Sequence, residues 1–160
     1  MAEYLNIADG TKTEKYRTLL PQIKSLIANE FDLIANMANI CAALKQTFNF
    51  FWTGFYVVKN GTLVLGPFQG PIACTRIAYG KGVCGSAWEK RQTIIVPDVN
   101  LFPGHIACNE NSKSEIVVPI IHKNEIIGVL DIDSNYLNCF DHIDAEFLEA
   151  IIKELCSNIK

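Results

Sequence analysis

The sequence predicts an α+β fold in which an antiparallel sheet carries helices packed on one face. Two pairs of strand-like segments are each joined by a tight turn, which indicates antiparallel hairpins. Helical spacing is concentrated towards the two ends of the chain, so long helices should flank the strands. The chain has 160 residues, 49% of them hydrophobic and 19% charged. These values predict one domain spanning residues 1–160.

The first third of the chain has the spacing of helices. A first helix is predicted around Tyr16–Ala28, with Pro21 either starting its main part or kinking it. A second helix is predicted over Phe31–Phe48, where apolar residues recur in steps of three and four. These residues are Ile34, Met37, Cys41, Leu44 and Phe48.

From Asn49 onwards the chain becomes rich in aromatic and β-branched residues. "FFWTGFYVV" and "TLVLGPF" flank Asn60-Gly61, a strong hairpin signal, and should pair as antiparallel strands. After Gly80, "KGVCGSAWEKRQ" can form a short helix, and "TIIV" is a strand that ends at Pro97.

The second half of the chain opens with a long loop. Asp98–Lys113 shows no periodicity, and a connection of this length in a compact domain is usually functional or disordered. "SEIVVPII", the turn "HKNE" and "IIGVLDIDS" then predict another hairpin. A last helix is predicted over Asp141–Ile159, with an apolar stripe formed by Ile143, Phe147, Ile151 and Leu155.

Charge and hydropathy argue against two classes of partner. The formal net charge is −3, and no run of Lys or Arg alternates with aromatic residues, so nucleic acid is not an expected partner. No apolar run approaches the ~20 residues of a membrane span, so no membrane partner is expected, and the N-terminus is too polar for a signal peptide. We therefore expect a cytoplasmic protein, whose six cysteines serve packing, metal binding or redox chemistry.

The six cysteines fall into groups. Cys41 and Cys156 lie at helical spacing and are expected to pack in the core, whereas Cys139 stays ambiguous. The other three, Cys74, Cys84 and Cys108, lie beside glycine, proline or basic residues. Such partly exposed, electropositive surroundings lower a thiol pKa, and Cys84 also stands at a helix start. For each of these three, an inert thiol tolerated in a tight turn remains the alternative.

The spacing of the cysteines does not indicate a metal site. Structural zinc sites show paired spacings such as C-x₂₋₄-C, which no two of these cysteines have. A site of three cysteines completed by His105 or His122 is conceivable, but no spacing indicates it. We predict no metal.

Three acidic residues and two aromatic residues indicate a pocket. Asp131 and Asp133 are two apart in a strand, so both carboxylates point to one face, and the hairpin could bring Glu115 near them. On the first strand, Trp52 and Tyr56 share a face with Gly54, whereas Phe51, Thr53 and Phe55 share the other. The Trp52 face is either ordinary core or the wall of a pocket with an acidic floor. Such a pocket suits a small ligand with a positive charge and an apolar methyl group.

These segments together resemble a known enzyme family. The runs "FWTGFY", "GPFQGPIACTRI", "GKGVCGSAW", "VPDVNLFPGHIACNENSKSEIVVPI" and "GVLDIDS" closely resemble the free methionine-(R)-sulfoxide reductases, which are single GAF-domain enzymes. The resemblance covers most of the chain. Its discriminating features are the cysteines at 74, 84 and 108, together with Glu115 and the "DID" pair.

The resemblance implies a thiol mechanism without a bound cofactor. Cys108 would be the nucleophile and Cys74 the first resolving thiol, with Cys84 a further participant; an exchange of roles between Cys84 and Cys108 stays open. A sulfenic acid would condense to a disulfide that a thioredoxin-type reductant reopens. Five residues would serve the free substrate: Glu115, Asp131 and Asp133 would hold its ammonium and help protonate the sulfoxide oxygen, while Trp52 and Tyr56 would enclose its methylsulfinyl end.

Other functions are compatible with the same residues. One is a non-catalytic GAF module that binds a small ligand, and another is a thiol redox sensor that acts through a partner protein. GAF domains often pair through their terminal helices, so a homodimer is also expected.

Overall fold

A computed structural model describes residues 4–160 of the chain. The strands form one six-stranded antiparallel sheet with the order β3-β2-β1-β6-β5-β4. Their bounds are β1 Trp52–Lys59, β2 Thr62–Gln69, β3 Arg76–Ala78, β4 Ile94–Val96, β5 Ser114–His122 and β6 Glu125–Ser134.

Helices lie on both faces of this sheet, and they are unequal in size. The three long helices, α1 Lys12–Ile27, α2 Leu33–Phe48 and α4 His142–Ser157, cover one face. The short helix α3, Gly82–Lys90, packs on the opposite face. The predicted α+β class is confirmed, and the prediction of helices on one face holds for the three long helices. None of the helices within residues 4–160 combines the length and apolarity needed to cross a bilayer.

Several predicted boundaries shift for local reasons. α1 begins at Lys12 because Thr11 caps it, its side chain accepting a hydrogen bond from the backbone N–H of Glu14. Pro21 lies inside this helix, so it does not start the helix. In α2, Ile34 was predicted on the buried stripe, but 52% of it is exposed. Ile34 stands in the first turn of the helix, two residues after the capping Asp32.

Two short elements were not predicted. β3 has only three residues and pairs with the hairpin formed by β1 and β2. A 3₁₀ helix, Val99–Leu101, interrupts the predicted loop Asp98–Lys113. Elements of one turn or less carry too few residues for a periodic signal. The rest of the predicted loop Asp98–Lys113 contains no helix or strand, as expected.

Alternation along the strands divides the buried side chains into two clusters. The larger cluster lies between the sheet and the three long helices, and includes Phe55, Ile116 and Leu130. The smaller cluster lies beneath α3, and includes Trp52, Tyr56 and Val117. Neighbouring residues of one strand thus point into different clusters, as the pleat requires. The smaller cluster is the one that borders the long loop and holds the candidate site.

A buried polar contact joins the first and last helices. Asp144, in the first turn of α4, is completely buried, and its Oδ1 atom accepts a hydrogen bond of 2.8 Å from the hydroxyl of Tyr16. Its other oxygen accepts a hydrogen bond from Lys12 Nζ. Burial, together with the adjacent Asp144 carboxylate, raises the pKa of Tyr16 well above its ordinary value. Tyr16 therefore stays a neutral donor.

Tyr16→Phe is expected to lower the free energy of unfolding by about 1–2 kcal/mol, because it leaves a buried carboxylate without one of its donors. Urea denaturation followed by circular dichroism measures this difference. Tyr136→Phe is the matched control, because Tyr136 is 72% exposed and should change stability little. Equal effects of the two substitutions would contradict a stabilising role for the Tyr16 hydrogen bond.

Candidate active site

Strand register brings three carboxylates together. In the pairing of β5 with β6, Glu115 lies opposite Asp133, and Asp131 lies two positions further along the same face. In the pairing of β1 with β6, Asp133 lies opposite Trp52. Glu115 and Asp131 are each only 6% exposed. The predicted proximity of Glu115 to the aspartate pair is therefore observed.

The three carboxylates are electrostatically unusual. Burial, reinforced by the neighbouring carboxylates, raises the pKa of Glu115 and of Asp133 well above their ordinary values. Burial also raises the pKa of Asp131 to about 6, against the opposing effect of the nearby Glu115 and Cys84 side chains. Like charges at this spacing cannot all ionise at low cost. At neutral pH the cluster therefore holds protons that exposed carboxyl groups would release.

The cluster has little compensating positive charge. The residues that line the pocket, as far as the structure describes them, include no lysine or arginine. His105 Nε2 lies 3.7 Å from Glu115 Oε2, but burial lowers the pKa of His105, which favours its neutral form. The Oδ1 atom of Asp131 is buried and has no conventional hydrogen-bond donor among the described residues. Such a cluster favours binding of a cationic ligand.

The carboxylates form the floor of a pocket of about 540 Å³, including its open mouth. Its lining comes from the smaller core cluster, the segment after β2, the start of α3 and the long loop. Every residue predicted for the site lines it except Cys74, which lies at its rim through a bond to Cys108. The predicted lining residues are Trp52, Tyr56, Cys84, Cys108, Glu115, Asp131 and Asp133.

An aromatic wall stands beside the acidic floor. The ring centroids of Trp52 and Tyr56 are 6.0 Å apart, and Phe68 stacks on the other side of Trp52 at 5.4 Å. The indole N–H of Trp52 donates to the carbonyl of Pro71, and the hydroxyl of Tyr56 donates to the carbonyl of Cys74. The polar tips of both rings thus hold the segment after β2 in place. Their apolar faces remain to contact a ligand.

Phe51 differs from the prediction. It was expected on the face opposite Trp52, but it packs with the smaller cluster and lines the pocket. Regular pairing begins only at Trp52, so strand alternation does not extend back to Phe51.

Gly54 allows Trp52 to lie flat over the sheet. A Cβ atom at Gly54 would lie 2.3 Å from Cη2 of Trp52 and 2.5 Å from Cβ of Phe68. A glycine inside a strand often marks such a close approach, and this signal could have identified Gly54 from the sequence. Gly54 is therefore required for the position of the indole ring.

Gly54→Ala is expected to displace the indole of Trp52 and to destabilise the protein by about 1–3 kcal/mol, because overpacking forces neighbouring side chains from their positions. The displacement is measured as a change in tryptophan fluorescence in a Trp88→Phe background. Gly66→Ala, on the neighbouring strand, is the control: the nearest atom to its added Cβ is the Phe55 carbonyl oxygen at 3.1 Å. An unchanged Trp52 signal in Gly54→Ala would show that the indole position does not depend on this glycine.

The cysteines of the site differ in state. Cys74 and Cys108 form a disulfide with Cα atoms 5.5 Å apart, which joins the segment after β2 to the long loop. Cys84 is a free, buried thiol near the start of α3. Burial, and then the charges of Asp131, Glu115 and Asp133, raises the pKa of Cys84 well above its ordinary value. The prediction of an electropositive setting for Cys84 is wrong, because the acids of the neighbouring strands outweigh the helix dipole.

The three cysteines assigned to packing or left open all lie outside this pocket. Cys41 is buried in the larger cluster, as predicted. Cys156 is only half-buried at the edge of that cluster, so its burial was overestimated, and Cys139 is likewise half-buried. Several other lining residues were not predicted for the site: Ile72, Ala73, Ile77, Gly82, Val83, Ile106, Asn109 and Ser112. No local signal distinguishes most of them, because they reach the pocket through the tertiary fold.

Comparison with known proteins identifies the family. A model of the GAF domain matches residues 32–155. The chain is 60% identical to GAF domain-containing protein A of Dictyostelium discoideum, over 97% of this chain and 99% of that protein. It is 46% identical to the free methionine-R-sulfoxide reductase of Escherichia coli K12, over 90% of this chain and 88% of that enzyme.

A solved structure supports the same family assignment. The free methionine-R-sulfoxide reductase of Neisseria meningitidis, in complex with its substrate, superposes with a TM-score of 0.95 at 50% identity, covering 97% of this chain and 94% of that one. The resemblance noted in the sequence is thereby confirmed. The chain belongs to the GAF-domain family of free methionine-R-sulfoxide reductases.

Proposed function

We propose that the protein reduces free L-methionine-(R)-sulfoxide to methionine through the thiols of its pocket. The observation that carries this proposal is one pocket in which a cysteine pair, Cys74 and Cys108, borders a buried cluster of carboxylates. The carboxylates suit the α-ammonium of a free amino acid, and the thiols suit reduction of its sulfoxide. A peptide-bound residue has a neutral amide in place of that ammonium, which accounts for selection of the free amino acid.

The carboxylates divide their work according to their proton affinities. Asp131, whose pKa is raised to about 6, holds the substrate ammonium, and the bound cation favours ionisation of the neighbouring Asp133, whose own pKa is raised by burial. Glu115 keeps its proton because burial and Asp131 raise its pKa, so it serves as general acid towards the sulfoxide oxygen. The apolar faces of Trp52 and Tyr56 enclose the methyl end of the substrate.

The reaction starts from the reduced enzyme. The thiolate of Cys108 attacks the sulfoxide sulfur while Glu115 protonates its oxygen. The oxygen passes to Cys108 as a sulfenic acid, and methionine leaves. The thiol of Cys74 then attacks that sulfenic sulfur, which forms the Cys74–Cys108 disulfide and releases water. The disulfide present in the structure is the state expected at the end of this reaction.

Reopening the disulfide needs two electrons from outside the protein. We propose a thioredoxin-type dithiol as the donor, since it restores both thiols without a bound cofactor. A reducing compartment maintains such a donor, and a cytoplasmic location is proposed for this reason.

The proposal is tested by incubating the protein with racemic free methionine sulfoxide and dithiothreitol. The R epimer should be consumed and the S epimer should remain, as resolved by chiral chromatography. N-acetylmethionine sulfoxide should not be reduced, because it lacks the ammonium. Stoichiometric binding without turnover would indicate instead a ligand-binding module. Thiol oxidation by peroxide but not by methionine sulfoxide would indicate a redox sensor.

We propose that the chain acts as one GAF domain over residues 1–160, of which residues 1–3 lie outside the described part. One sheet formed by all the described strands supports this proposal. A homodimer, in keeping with the pairing of GAF domains through their terminal helices, is tested by light scattering.

A further inference from the structure

A thiol and two carboxylates converge in the pocket. One ligand atom each from Cys84, Glu115 and Asp131 lies within 4.8 Å of the other two, and all three residues are buried. These atoms come from three elements, α3, β5 and β6, so their convergence is a product of the tertiary fold. The reaction proposed above uses Glu115 and Asp131 but gives Cys84 no required step.

The donor set has the chemistry of a metal centre. A thiolate with two carboxylate oxygens suits Zn²⁺ and related borderline-soft ions, whereas Mg²⁺ and Ca²⁺ prefer oxygen alone. Zinc bonds of about 2.3 Å to sulfur and about 2.0–2.2 Å to oxygen place tetrahedral ligand atoms roughly 3.5 Å apart. The three ligand atoms lie within 4.8 Å of one another, so the side chains would move closer together on binding the ion. The fourth position would face the pocket, where water can enter.

A separate observation points to a cation at this place. The Oδ1 atom of Asp131, a residue only 6% exposed, is buried without a hydrogen-bond partner among the described residues. No lysine or arginine lies in the described lining of the pocket. His105, at 3.7 Å from Glu115 Oε2, is the nearest basic group and lies at the edge of the cluster. A cation can therefore serve as the missing partner of this buried oxygen.

We propose that Cys84, Glu115 and Asp131 form a binding site for Zn²⁺ or a similar ion, and that the bound ion excludes the substrate. Binding displaces the thiol proton of Cys84, and any proton held between the carboxylates, to solvent. The metal contributes no electrons to the reduction. Exclusion rests on the proposed function, because the metal takes Asp131, which is assigned to the substrate ammonium, and Glu115, which is assigned as the general acid.

Co²⁺ titration of the protein in its disulfide form tests the site directly, without an activity assay. Cys74 and Cys108 are then unavailable as ligands, so a thiolate-to-cobalt charge-transfer band reports one of the four free thiols, and loss of the band in Cys84→Ser assigns it to Cys84. The band should appear in the wild-type protein, vanish on adding Zn²⁺, and persist in excess Mg²⁺. Absence of the band, or its displacement by Mg²⁺, would overturn the site.

Three variants locate the ligands. Cys84→Ser should abolish the charge-transfer band, and Asp131→Asn should weaken Co²⁺ binding by at least about tenfold. Cys156→Ser is the control, because Cys156 is a free thiol outside the pocket and the band should be unchanged. Circular dichroism verifies that each variant is folded. A band that survives in Cys84→Ser, or that is equally strong in Asp131→Asn, would contradict the ligand assignment.

Competition separates this inference from the proposed function. Adding free methionine should diminish the cobalt band if the ion and the amino acid share carboxylates. A band that forms but does not respond to methionine would overturn the exclusion of substrate and leave the metal site standing. Reduction of free methionine-(R)-sulfoxide by a protein that shows no cobalt band would refute the metal site and leave the proposed reaction standing.

Discussion

Cys108→Ser is expected to abolish reduction of free methionine-(R)-sulfoxide, with a loss of at least about a thousandfold, because it removes the attacking sulfur. The structure favours Cys108 over Cys84 as this nucleophile. Burial among three carboxylates raises the pKa of Cys84 well above its ordinary value, so little of it is thiolate at neutral pH. Cys108 is exposed and lies on the loop, where a thiol can reach both the substrate and Cys74.

Single-turnover measurements distinguish attack from resolution. The reduced wild-type protein, without added reductant, should release one methionine per chain, and Cys108→Ser should release none. Cys74→Ser should still release one, because its nucleophile is intact, and should accumulate a sulfenic acid detectable by mass spectrometry. Cys156→Ser should match the wild type. One methionine per chain from Cys108→Ser, with none from Cys84→Ser, would reverse the assignment.

Glu115→Gln is expected to lower kcat by about a hundredfold to ten-thousandfold, because the amide keeps the shape of the acid but cannot deliver its proton to the sulfoxide oxygen. Steady-state kinetics with dithiothreitol measure this loss. Glu125→Gln is a matched control at the other end of the same hairpin, where Glu125 is exposed. Its kcat should be unchanged. Wild-type activity in Glu115→Gln would remove Glu115 from the mechanism.

The same substitution should raise the stability of the protein at neutral pH. Folding raises the pKa of Asp131 from its ordinary 3.8 to about 6, so its contribution to stability is complete below about pH 4 and is lost as pH rises through 6. The pKa values of Glu115 and Asp133 are also raised. The amide in Glu115→Gln does not titrate, so the variant avoids the cost that Glu115 adds as pH rises. The free energy of unfolding of Glu115→Gln at pH 7 should therefore equal or exceed that of the wild type, even though its kcat is expected to fall.

Urea denaturation from pH 4 to pH 8 checks this stability difference. The wild-type free energy of unfolding should fall across this range, and the fall should be smaller in Glu115→Gln. A variant that is less stable than the wild type at pH 7 would show that the carboxylates stabilise the fold. The loss of activity would then have a structural explanation.

The acidic floor and the aromatic wall could be predicted from local pattern. A period of two places Asp131 and Asp133 on one face, and a short hairpin turn brings Glu115 within reach of them. The same period separates Trp52 and Tyr56 from Phe55. These features depend only on strand geometry and on one turn, and both can be recognised in a single sequence.

Features that depend on distant contacts were not predictable in this way. The thiol of Cys84 was expected to have a lowered pKa, but burial against β5 and β6 reverses the effect of its position near a helix start. The approach of Cys74 to Cys108, which are 34 residues apart, followed from family resemblance and not from spacing. Short elements such as β3 are formed by pairing with a neighbour. Each of these properties arises from the assembled sheet.

The two cysteines of the disulfide differ in exposure and in hydrogen bonding, and this difference determines which sulfur an external thiol attacks. Cys74 is half-buried, and the Tyr56 hydroxyl binds its carbonyl at 2.9 Å, whereas Cys108 is exposed. An incoming thiolate attacks the sulfur it can reach, so we expect the mixed disulfide to form on Cys108, with Cys74 as the leaving thiol. The cysteine that takes oxygen from the substrate would then also be the one that carries the reducing protein.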